Sequence, residues 1–160
     1  MILTFTDELI NADMLKTFVD AVNSGAEHIN IYIQSDGGSC SVTDTMIDII
    51  NSDPKRFTLI GSHFVGSNAF ILLLKVNCEK YILPNTTAMH HQPNFQIRKN
   101  EDGSTKYIGH KIAEEANRKS HKQAQEFNKK IGLTKKQIKE YNKAQDVYIN
   151  TKQLLKMIKP

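Results

Sequence analysis

Gly37 and Gly38 follow an alternating run, Ile29-Asn30-Ile31-Tyr32-Ile33, in the segment Ser35-Asp36-Gly37-Gly38-Ser39. Glycine reaches backbone angles that a Cβ makes costly, and it lets a ligand approach bare amide N–H groups. Such a turn between a strand and a helix suits an oxyanion or a carbonyl oxygen; a plain tight turn uses the same residues. Further on, Ser67 stands between Gly66 and the small Ala69, where an apolar helix begins. A serine there is either a helix cap or a nucleophile helped by the helix dipole and nearby N–H groups. Met89-His90-His91-Gln92-Pro93 ends a strand with two histidines. Neighbours on a strand face opposite sides, so one imidazole serves a given site. A base for serine needs that imidazole held in one tautomer by a carboxylate. Asp146, ahead of Val147-Tyr148-Ile149, is a candidate orienter; a surface acid or a helix cap is the other reading. No Cys/His/carboxylate cluster accompanies the histidine pair, so no metal is assigned.

The elements that must position these groups read as alternating strands and helices. Ile2 to Phe5 is a short strand, and Asn11 caps a helix in which Met14, Leu15, Phe18, Val19 and Val22 recur at helical spacing. Asn23-Ser24-Gly25 stops it, and His28 to Gln34 forms the next strand. Val42, Met46, Ile49 and Ile50 mark a second helix, closed by Asn51-Ser52-Asp53-Pro54. Phe57 to Ile60 is a third strand, and Ser62 to Phe70 reads as the turn into the buried helix Ala69 to Leu74. Tyr81-Ile82-Leu83 and Thr87-Ala88-Met89 flank a Pro84-Asn85 turn. This alternation implies crossover units and a mainly parallel α/β sheet.

The second half is more polar. Phe95-Gln96-Ile97 alternates, and Asn100 to Ser104 holds an Asp-Gly step that reads as a hairpin tip. A helix follows from about Tyr107 to Lys130, with few apolar positions and a surface crowded with lysine. So sparse an apolar stripe suits a helix that projects from the domain or lies against a partner. Gly132 ends it, Thr134 caps a short helix carrying Ile138 and Tyr141, and a last helix runs from Thr151 to Ile158.

Composition narrows the function classes. The chain has 160 residues, enough for one domain with a real core, and 39% of them are apolar. A net charge of +4 without a dense basic face or a reading motif does not call for nucleic acid. The longest apolar run, Ala69 to Leu74, is too short to span a bilayer. Cys40 and Cys78 without metal spacing, behind an N-terminus with no basic n-region, suit a reducing, cytoplasmic setting.

Taken together, these segments resemble the Clp protease proteolytic subunit, a serine peptidase of the ClpP/crotonase fold. Ile31 to Gly38 resembles its strand and Ser-Pro-Gly-Gly turn. Leu83-Pro84-Asn85 with Met89-His90-His91-Gln92-Pro93 resembles its Leu-Pro-Asn and Met-Ile-His-Gln-Pro segment. Ile131-Gly132-Leu133-Thr134 resembles the stretch after its handle helix, and Asp146 to Thr151 the segment that opens with the triad aspartate. The likeness covers nearly the whole chain in the right order. It implies a spiral of ββα units with a protruding strand-turn-helix handle. The head would take about 1–93 and 133–160 and the handle about 94–132, within one domain of 1–160. It assigns His91 as general base, Asp146 as orienting acid, and Gly37, Gly38 and the amide of Asn68 as the oxyanion hole. Counted forward from the glycine pair, the family's serine falls on Ser67; counted back from His91, it falls on Gly66. The Gly66-Ser67 step resembles the family's small-residue-then-serine step, which favours Ser67.

The implied activity is a serine endopeptidase acting on peptides or unfolded protein. It needs no cofactor, and Phe95, Gln96 and Ile97 would hold an extended substrate. The implied assembly is a homo-oligomeric ring, with catalytic alignment dependent on subunit packing. Some features depart from the family. Asp36 replaces a proline beside the oxyanion turn, and a carboxylate pointing inward there would oppose an oxyanion. The chain starts close to its first strand, so the axial loops that contact an unfoldase ATPase are not expected. These departures support an alternative, an inactive homologue that serves as an assembly or scaffold subunit, alone or with a paralogous subunit. A crotonase-type acyl-thioester enzyme is a third reading, opposed by the Met-His-His-Gln-Pro element.

Overall fold

The computed structural model describes residues 1–6, 9–92 and 122–158. The described chain divides into two units, Met1–His90 with Tyr148–Pro160, and His91–Val147.

The first unit is built on a sheet in the order β1-β2-β3-β5-β6, with β4 also paired to β3. β1 (Ile2–Thr6), β2 (Ile29–Ser35), β3 (Phe57–Gly66), β4 (Glu79–Ile82) and β5 (Thr87–His90) pair in parallel throughout. Tyr148 and Ile149 of β6 (Val147–Ile149) close the sheet beside β5. Parallel neighbours require crossovers, and α1 (Ala12–Asn23), α2 (Cys40–Ser52) and α3 (Ser67–Lys75) supply them. The expected mainly parallel α/β architecture is what the structure has.

Alternation explains the core. Ile29, Ile31 and Ile33 are each fully buried on one face of β2. Met14 and Phe18 of α1 are buried too, and the Phe18 ring lies 5.9 Å from Phe57 at the start of β3. Phe70, Leu72 and Leu73 are each fully buried in α3, as its apolar run implies. Each such side chain contributes about 1.5–3 kcal/mol relative to exposure. Asn11 caps α1 through its side chain, and Ser39 does the same for α2.

One boundary differs usefully from the sequence reading. β3 does not stop at Ile60 but runs on to Gly66, through residues read as a turn. Its first half pairs with β4, from Thr58–Glu79 to Gly61–Ile82. Its second half pairs with β5, from Phe64–Thr87 to Gly66–Met89. His63, at φ 48°, lies between the halves, and the β2 register shifts between Ile33 and Ser35 at the same level. The strand thus changes partner across an irregularity and delivers Gly66 directly to the first residue of α3.

In the second unit, residues 122–130 are helical (α4), and Gly132 ends the helix with φ 77°. The Leu133 and Gly132 N–H groups donate to the Asn128 and Lys129 carbonyls, a Schellman closure. α5 (Lys135–Asn142) starts with a capping box between Thr134 and Gln137. Tyr141 and Asn128 are both buried in this unit. The final helix, α6 (Thr151–Met157), is capped by Asn150 in the first unit. The strand over Phe95–Ile97, the hairpin tip and the helix start near Tyr107 lie outside the described residues.

Candidate active site

The glycine turn is shaped by its contact with Ile10. Gly37 has φ 111° and Gly38 φ 142°, angles that favour glycine. The Ile10 N–H donates to the Gly37 carbonyl (2.6 Å), and the Ser39 N–H donates to the Ile10 carbonyl (2.8 Å). In a planar trans peptide the C=O and N–H point opposite ways. Binding the Gly37 carbonyl to Ile10 therefore aims the Gly38 N–H away from Ile10. A Cβ on Gly38 would strike the Ile10 carbonyl oxygen, so this close backbone approach requires glycine.

Ser67 is the first residue of α3, and Gly66 before it holds the cap position with no side-chain cap bond. The capping reading of Ser67 is therefore not what the structure shows. Ser67 instead has φ 50°, in the left-handed region that a residue with a Cβ enters only at a cost. Gly66, the other residue reached by counting, has an ordinary extended backbone (φ −101°, ψ 152°). Gly37 closes directly on this strained serine: a Cβ on Gly37 would lie 2.6 Å from the Ser67 Cβ and 3.0 Å from the Asn68 amide nitrogen. A Cβ on Gly66 would lie 3.0 Å from the Asp36 carbonyl oxygen, so the turn packs against the serine's predecessor too. Gly37, Gly38, Ser67 and Asn68 are thus brought together. Asp36 is exposed.

The two histidines differ in burial. His90 is buried, with its ring 5.5 Å from Phe70 on α3. His91, half-buried, opens the second unit. In that unit the neighbouring Gln92 donates from Nε2 to the Tyr141 carbonyl (2.8 Å), which anchors the segment to the end of α5. Asp146 belongs to the same unit and is exposed. Phe95, Gln96 and Ile97 lie outside the described residues.

Two features of this site escaped the sequence reading. Ile10 reads as one more apolar residue before a cap, yet its backbone shapes the turn. The Asn68 side chain is the other: it donates to the Gly38 carbonyl and meets Cys40. A polar residue directly after a serine at the start of an apolar helix was the available signal.

Residues 4–157 match the family described as Clp protease. Among solved structures, a mutant of ClpP1 from Listeria monocytogenes is similar to this chain at a TM-score of 0.65 and 21% identity. That match covers 98% of this chain and 86% of the other. No curated protein matches the chain.

Proposed function

The chain belongs to the Clp protease family, and from that premise we propose that it is a serine endopeptidase with Ser67 as nucleophile. His91 accepts the Ser67 proton as the hydroxyl attacks a peptide carbonyl, then returns it to the leaving amine. Asp146 orients the imidazole. The Gly38 and Asn68 amides hold the oxyanion, each donor being worth roughly 3–4 kcal/mol by comparison with other enzymes. Phe95, Gln96 and Ile97 pair with an extended peptide as an added strand. The handle of residues 94–132 and a homo-oligomeric ring complete this reading. No metal or cofactor enters the reaction.

The observation that carries the proposal is the backbone of Ser67. A serine held at φ 50° where a strand meets a helix, with a glycine turn closing on it, fits a nucleophile presented on a sharp elbow. One observation favours the second reading, an inactive assembly subunit: Asp146 is exposed, whereas an orienting carboxylate works best buried against its histidine.

A fluorophosphonate probe separates the two. The native chain is expected to take up the probe on Ser67, and Ser67→Ala is expected to take up none. An unlabelled native chain, or equal labelling of the variant, would reject the peptidase and leave the assembly subunit.

A further inference from the structure

The glycine turn is held on two sides. Ile10 grips it through both of its backbone groups, as described above. On the other side, Asn68 Nδ2 donates to the Gly38 carbonyl oxygen. A carbonyl oxygen only accepts, so the amide must turn its nitrogen toward it. The Cys40 sulfur packs against the same amide, 3.7 Å from Oδ1 and 3.2 Å from Nδ2. The Gly38–Ser39 peptide is therefore fixed at both ends, its C=O by the Asn68 side chain and its N–H by the Ile10 carbonyl.

A Gly-Gly peptide is a soft place in a backbone, because no Cβ resists its rotation. The Gly38 N–H belongs to the Gly37–Gly38 peptide, whose carbonyl end the Ile10 N–H holds. The other end of that peptide is the Gly38 Cα, which is only as fixed as the Gly38–Ser39 peptide that follows it. A bond that pins the Gly38 carbonyl holds that Cα and so limits how far the Gly38 N–H can wander.

We propose that the Asn68 side chain is a positioning residue for the oxyanion hole: it pins the Gly38 carbonyl so that the Gly38 N–H stays aimed at the reacting carbonyl. This rests on the serine-peptidase reading. It gives Asn68 two tasks, with its backbone N–H as a donor and its side chain as the tie to the opposite donor.

The test compares the native chain with Asn68→Leu, similar in volume but without donors, and Asn68→Gln, which keeps the amide. Two readouts are taken: amide hydrogen exchange by mass spectrometry, and kcat and KM on a peptide with a fluorogenic leaving amine. In Asn68→Leu, exchange of residues 36–39 is expected to rise while β2 and β3 keep their protection. kcat is expected to fall on the order of tenfold to a hundredfold with KM retained, short of the 10²–10³ seen when a donor itself is deleted. Asn68→Gln is expected to recover part of both. Unchanged exchange at 36–39, exchange raised equally throughout β2 and β3, or a change confined to KM would overturn the proposal. If the native chain hydrolyses nothing and takes no fluorophosphonate, the peptidase reading fails separately. The exchange measurement then still decides, since an unchanged turn would sink the tie itself.

Discussion

At Gly37 a single hydrogen in place of a methyl group lets the turn touch the serine. The added Cβ of Gly37→Ala would meet the Ser67 Cβ at 2.6 Å, a distance that atoms of this kind do not sustain. Its φ of 111° adds backbone strain. Gly25 provides the control, with φ 77° and nothing within 4 Å of an added Cβ. Gly25→Ala should cost about 1–2 kcal/mol from the left-handed backbone alone. Gly37→Ala should cost about 1–3 kcal/mol more, from overpacking against α3. Denaturant unfolding of both variants measures the difference, and equal losses would mean that the turn yields and is not tightly seated on Ser67. At this scale the sequence disclosed residue types well and backbone angles poorly. The glycine pair announces special angles, because glycine is common where they are needed. Nothing in the letter S at position 67 announces a left-handed backbone, which arises from how β3 enters α3.

Elements were more legible than their joints. Asn11 and Thr134 accept the capping bonds read for them, because a short polar side chain before a helix satisfies an otherwise unpaired N–H; Ser39 and Asn150 do the same for α2 and α6. The length of β3 was not legible. Its second half owes its strand form to pairing with β5, a partner more than twenty residues later, and not to local alternation. The α4–α5 pair carries a prediction of its own. Burial raises the Tyr141 hydroxyl above its ordinary pKa of 10.0, and the Asn128 side chain offsets only part of that. The folded form thus keeps its proton where the unfolded chain has begun to lose it. The associated stability is fully present below pH 10 and is lost as pH rises from there through the folded pKa. Tyr141→Phe, which has no ionisable hydroxyl, should flatten the alkaline decline. Unfolding curves at a series of alkaline pH values check the sign, and an unaltered decline in Tyr141→Phe would exclude this tyrosine as its source.

For the whole molecule, the proposed ring must overcome charge before it can form. Every copy carries a net +4 at pH 7, so identical copies repel at long range. The first unit meanwhile leaves large apolar side chains in solvent, among them Ile2 at 67% exposure, Tyr148 and Leu9 at 60%, and Tyr81 at 52%. Apolar area removed from water is the term available to outweigh repulsion, at about 25 cal/mol per Å². Salt should therefore favour association: at about 1 M the screening length shrinks to roughly 3 Å, which removes the repulsion and leaves apolar burial intact. Sedimentation across protein concentration and ionic strength is expected to show larger species as either rises. If catalysis depends on subunit packing, specific activity on a short peptide should rise in step with the assembled fraction. Dissociation on adding salt would instead mean that opposite charges on neighbouring copies hold the assembly together. A monomer at all concentrations that still turned over substrate would show that Ser67 and His91 are aligned within one chain, so that the ring is not needed for the chemistry.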